Sequence, residues 1–168
     1  MGRLPRKIHR FIYFSGYRHL DQKPPILYEL REPSGVPKPL TLPSEESWRP
    51  FASEGGDIYF INNSGGRYQI YTKKLDDPVA TKSIVVPSDY EQWDPAISGD
   101  GSLLAFAQRE GGNFDIYTTQ LHSREKKSIR RIATAEDEWD PRFSPSGRYL
   151  LYAATSPFGD QIRAVCLK

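Results

Sequence analysis

The chain has 168 residues, 38% of them hydrophobic and 26% charged, a size and mix that suit one packed soluble domain. Its 23 basic and 21 acidic residues leave a net charge of +2, too little to draw it to nucleic acid or to an anionic membrane by net charge. A single cysteine, Cys166, excludes an internal disulfide framework, and no cysteine–histidine metal spacing accompanies it.

The opening MGRLPRKIHRFIYFSGYRHL is basic, but its only apolar run is FIYF, far short of a signal peptide's apolar region. Nothing is long enough to span a bilayer, and Arg6 stands where a myristoylation signal needs Ser or Thr. The expectation is a cytoplasmic chain without a membrane partner, or a periplasmic one if a leader has been removed.

The first of four repeats, approximately residues 1–44, offers strands at FIYF (11–14), PILYEL (25–30) and VPKPLTLP (36–43). Only LPRKIHR (4–10) is left for its inner strand, or alternatively for the outer strand that the last repeat lacks. The second repeat, 45–88, reads RPFAS, DIYFIN, YQIYTKKL and KSIVVPS; the third, 89–135, reads DPAIS, SLLAFAQ, FDIYTTQL and KSIRRIAT. The fourth, 136–168, has DPRFS, YLLYAA and QIRAVCL, and no outer strand. Apolar and β-branched runs alternating with Gly, Asn, Asp and Pro turns are the hairpin pattern. Phe60, Phe106 and Tyr152 are 46 residues apart, as are Ile70, Ile116 and Ile162, and Gly55, Gly101 and Gly147; Pro50, Pro95 and Pro141 follow at 45 and 46. A fixed period in the forties with strand-like segments is the signature of propeller blades. The predicted fold is all-β, a single β-propeller domain of about four blades of four antiparallel strands with incomplete terminal blades. Because an open array leaves apolar blade faces uncovered, a homodimer completing a larger ring is favoured over a closed four-bladed one.

The pattern W-D-P-x-x-S-x-x-G-x-x-L-x-[FY] followed by D-I-Y is carried by Ser144-Pro145-Ser146-Gly147, Ser98-Gly99-Asp100-Gly101 and Asp115-Ile116-Tyr117. It resembles the TolB-type (WD40-like) propeller repeat over residues 48–167. The resemblance implies a propeller that works through protein contacts, or a blade set like those that cover the hydrolase domain of prolyl oligopeptidase and tricorn peptidases.

For chemistry of its own, a serine hydrolase would need a nucleophile elbow such as G-x-S-x-G, and none occurs. His9, His19 and His122 lack zinc-ligand spacing, and Cys166 reads as a small strand residue. The expectation is therefore no enzyme, no metal and no cofactor. Carboxylates gather where one repeat passes to the next: Glu45-Glu46, Asp89 with Glu91 and Asp94, and Glu136-Asp137-Glu138 with Asp140. Chain reversal places these junctions on one face, opposite the basic residues Arg31, Lys38, Lys73, Lys74, Lys82, Arg124, Lys126 and Lys127. The leading expectation is a noncatalytic module that holds a protein or basic peptide at an acidic mouth of the axial channel. Trp48, Trp93 and Trp139 would supply apolar contact, and Glu91, Asp94, Glu138 and Asp140 the charge. Arg49 interrupts the carboxylate ring and can pair with one of its members. The tryptophans equally suit packing between blades. The alternatives are a glycan-binding or carbohydrate-active propeller, and a structural self-assembling half ring.

Overall fold

The computed structural model describes residues 11–17, 24–31, 35–53, 55–75, 81–125 and 127–167. The inner strand expected over 4–10, together with His9, His19 and Lys126, lies outside the described residues. Among the described residues, fourteen strands form four antiparallel sheets in chain order. The first holds β1 (Phe11–Gly16), β2 (Ile26–Arg31) and β3 (Lys38–Pro39). The second holds β4 (Ser47–Ala52), β5 (Asp57–Asn62), β6 (Gln69–Lys74) and β7 (Ser83–Ile84). The third holds β8 (Glu91–Ile97), β9 (Leu103–Glu110), β10 (Asn113–Gln120) and β11 (Ile129–Ile132). The last holds β12 (Asp137–Phe143), β13 (Tyr149–Ser156) and β14 (Gly159–Cys166). The outer strands are shorter than the sequence predicts, and in the first two sheets Pro37, Pro39, Pro43 and Pro87 lack the N–H that a ladder requires. The inner strands start earlier than predicted and take in Trp48, Trp93 and Trp139.

Turn chemistry sets the hairpins. The β8–β9 connection closes with the Gly101 N–H donating to the Ser98 carbonyl at 2.8 Å, and Gly101 takes φ 73°, a left-handed conformation open to glycine without a Cβ clash. In the second repeat Gly56, not Gly55, fills this role, with φ 83°. The single-residue offset that gave Pro50 and Pro95 a spacing of 45 therefore lies beyond the turn.

Strand alternation gives each sheet a leading face toward the preceding sheet and a trailing face toward the next. Leu27, Tyr13 and Leu40 of the first sheet meet Ile58, Phe60 and Tyr71 of the second. Tyr59, Ile70 and Val85 of the second meet Leu104, Phe106 and Tyr117 of the third. Ala105, Ala107 and Ile116 of the third meet Leu150, Tyr152 and Val165 of the fourth. The sequence period thus places equivalent residues in equivalent interfaces. Sheets pack first on second, second on third and third on fourth, with no comparable packing of the fourth on the first among the described residues. The result is an open arc of blades, a partial propeller.

Candidate functional site at the converging inner strands

Each complete inner strand carries a bulge at the same place. Trp93 pairs with Ala107 and Ala96 with Ala105, so Asp94 and Pro95 oppose Phe106 alone, and the same shift occurs between Trp48 and Phe51 and between Trp139 and Arg142. The first residue of each bulge is left-handed: Arg49 at φ 50°, Asp94 at 54° and Asp140 at 52°. A non-glycine residue in this region costs roughly 1–2 kcal/mol. The proline that follows adds to the strain by disfavouring helical backbone before it. Bulges re-aim side chains, and these three converge.

Arg49 Nε lies 2.8 Å from Asp94 Oδ1, and Arg49 Nη1 lies 3.5 Å from Asp140 Oδ1. Arg142 Nη2 lies 2.8 Å from the same Asp140 oxygen. A contact from the second sheet to the fourth that skips the third requires inner strands drawn together at an axis. Backbone groups join the network. The Asp140 N–H donates to Asp94 Oδ2 at 3.2 Å, and the Arg49 N–H donates to Ser15 Oγ at 3.1 Å. Asp94 is only 4% exposed. Its burial pushes its pKa up, against the pull of the Arg49 guanidinium. A cavity of about 230 Å³ opens here between Pro50, Phe51 and Pro95 and the charged side chains of Arg49, Asp94 and Arg142.

The other residues singled out in the sequence lie elsewhere. Glu138 is fully buried, on the leading side of β12 toward the third sheet, with Thr134 Oγ1 donating to its Oε1 and no hydrogen-bond partner at its Oε2. Burial raises its pKa. Glu91 lies opposite Arg109 in the β8–β9 ladder. Trp48 is half-buried, donates from Nε1 to Glu46 Oε1 at 2.8 Å and meets the Tyr17 ring edge-on at 6.2 Å. Trp93 packs on Tyr68 at 4.6 Å and against the interface between the third and fourth sheets. Trp139 is exposed on the trailing face of the fourth sheet. The two charge faces also touch, because Lys82 pairs with Glu45. Arg142, Phe51 and Ser15 were not singled out in the sequence. The repeat aligns Arg142 with Ala96 and Phe51, a substitution pattern without a motif to mark it.

No protein-family model matches the chain, and no curated protein matches it in sequence. Solved structures do match in shape. TolB from Acinetobacter baumannii superposes with a TM-score of 0.75 at 17% identity, over 94% of this chain and 39% of that one. A putative TolB from Agrobacterium tumefaciens gives 0.76 at 17% identity, over 94% and 57%. A puromycin-hydrolyzing peptidase of Mycobacterium tuberculosis gives 0.71 at 14% identity, over 94% and 27%. The fold is that of a TolB-like propeller, and the chain spans well under two thirds of the TolB chains it matches. The expectation of no enzyme is corrected by the third match. Blades of this shape are part of a peptidase chain, so the absence of a nucleophile elbow from 168 residues excludes nothing. That likeness covers a minor part of the peptidase and assigns no reaction to this chain.

Proposed function

We propose that this chain is a TolB-like blade array that binds a protein or peptide segment at the axial opening, and that the segment presents a carboxylate. The observation that carries this reading is the set of three equivalent left-handed bulges, which aim Arg49, Asp94 and Asp140 at one opening. Backbone strain repeated at one place marks a site where side-chain direction matters more than local stability. Formal charge at the opening cancels, with Arg49 and Arg142 against Asp94 and Asp140, but Asp94 is sunk and held by Arg49. What the opening shows to solvent is two guanidinium groups and one carboxylate, beside the apolar surfaces of Phe51, Pro50 and Pro95. Planar guanidinium donors suit a carboxylate partner. The mouth expected to be acidic thus supports an acidic rather than a basic segment.

The test is fluorescence anisotropy with a glutamate-rich and a lysine-rich labelled decapeptide, each carrying one leucine. The expected result is that the glutamate peptide binds, weakens with added salt and loses about tenfold in affinity with Arg142→Ala, about 1.4 kcal/mol. Equal binding of both peptides, or indifference to Arg142→Ala, would sink the reading.

A further inference from the structure

The trailing faces of the sheets occupy equivalent positions but differ in cover. In the second sheet Tyr59, Ile61 and Ile70 are buried, and in the third so are Ala105, Ala107 and Ile116. The same positions in the fourth sheet are Leu151, Ala153 and Ile162. There Leu151 is 37% exposed and Ile162 is 82% exposed, with Trp139 in register beside Ala153 at 40%. The face is apolar and shaped as the two before it, yet no described residue packs over it. The first sheet shows the opposite deficiency. Its leading face carries Ile12 and Phe14, at the positions of Ile58 and Phe60 in the second sheet and of Leu104 and Phe106 in the third. Those four are buried, whereas Ile12 is 43% exposed. Phe14 stacks on Tyr28 at 5.5 Å, as Phe60 does on Tyr71 at 6.3 Å and Phe106 on Tyr117 at 5.9 Å.

From these faces we infer that the fourth sheet of one copy receives the first sheet of a second copy, a head-to-tail contact that repeats the interface already formed inside the chain. The two faces are complementary in kind, because a trailing face meets a leading face at every internal junction. Among the described residues of one copy the arc holds them apart, and a second copy can bring them together. At the axis, Asp140 sits where Asp94 does one repeat earlier, and Asp94 Oδ2 accepts an amide of the following blade. A carboxylate poised for a following blade accompanies the apolar face. A contact between unlike faces closes into a ring when the rotation between copies permits and otherwise propagates. The inference shares Asp140 with the peptide site but rests on the apolar faces, so failure of peptide binding would leave it standing.

The test is light scattering of the full chain over a dilution series, with Ile162→Glu and Ile12→Glu, alone and mixed. Both residues are exposed in the single copy, so circular dichroism should stay as in the wild type, and the melting temperature should fall only by what association adds to the wild type at that concentration. The expected wild-type mass is at least twice the 19.2 kDa of one chain. Each variant alone should raise the dissociation constant by at least tenfold. The mixture should return a 1:1 pair and go no further, since one unaltered leading face and one unaltered trailing face remain. A wild type that is monomeric at every concentration overturns the inference. So does an Ile12→Glu chain that still pairs with itself, which would mean that like faces meet.

Discussion

Glu138→Gln should stabilise the protein. Residues 47, 92 and 138 are equivalent, each standing just before the tryptophan of its inner strand, and the residue at 92 is Gln. The Gln92 amide accepts the Ile70 N–H at 3.3 Å and donates to the Val86 carbonyl and to Gln108 Oε1, both at 3.2 Å. Glu138, equally buried, keeps the Thr134 bond at one oxygen and leaves the other without a partner. Leaving a buried polar atom unpaired costs about 1–3 kcal/mol, more when it is charged. At position 138 a carboxamide retains the acceptor and carries a donor for the neighbouring carbonyls, so a gain of about 1–2 kcal/mol is expected at pH 7, or a melting-temperature rise of roughly 2–8 °C at 2–4 °C per kcal/mol for a chain of this size. The sign with pH follows from the raised carboxyl. Burial lifts Glu138 above its ordinary 4.5, so the folded state holds its proton longer than the unfolded state does. Its favourable contribution is complete below pH 4.5 and is lost as pH rises through the folded value. The variant's advantage should therefore be small near pH 4, grow as the carboxyl ionises and then level off. Differential scanning fluorimetry and urea titration of both proteins from pH 4 to 8 measure it. A variant less stable than the wild type at pH 7, or an advantage that does not change with pH, refutes the reasoning.

Asp94→Ala should destabilise by about 2–4 kcal/mol, combining the lost acceptor for the Asp140 amide with a Cβ still held at positive φ. Asp94→Gly removes the same carboxylate without that strain and should recover about 1 kcal/mol of the loss; equal urea midpoints for the two would refute strain at this position. Phe106→Ala, at a fully buried ring in the interface between the second and third sheets, should cost about 3–5 kcal/mol. A loss under 1 kcal/mol in chemical denaturation would mean that this interface is not part of the cooperative core.

The period of 46 made the blades legible, and with them which apolar residues face which neighbour, because one blade's alternation is copied by the next. The mouth was less legible for three physical reasons. Glu138 and Trp139 are adjacent in a strand before its bulge, so alternation sends them to opposite faces, and a cluster of acids in sequence does not stay a cluster in space. Arg142 occupies a position held by Ala96 and Phe51 in the other repeats, so periodicity gives it no weight. The bulges themselves are hidden, since Asp tolerates left-handed backbone but a following proline argues for extended backbone.

Arg49 shows how one substitution within a repeat changes the chemistry of the whole opening. The Asp at its equivalent position in the next blade takes the amide of the blade after it. An arginine side chain has donors and no acceptor, so Arg49 cannot do the same for Asp94. It instead turns to the two carboxylates that follow it, at 2.8 and 3.5 Å. The backbone bond that would tie the second blade to the third is thereby replaced by an ion pair that reaches both the third and the fourth. An aspartate there would have placed three carboxylates around Arg142 alone, with mutual repulsion favouring a bound cation or a basic chain. With arginine the cluster neutralises itself, and its outward surface keeps guanidinium donors to spare. On the proposed reading, the choice of partner therefore turns on position 49 rather than on the acids that dominate the surrounding sequence.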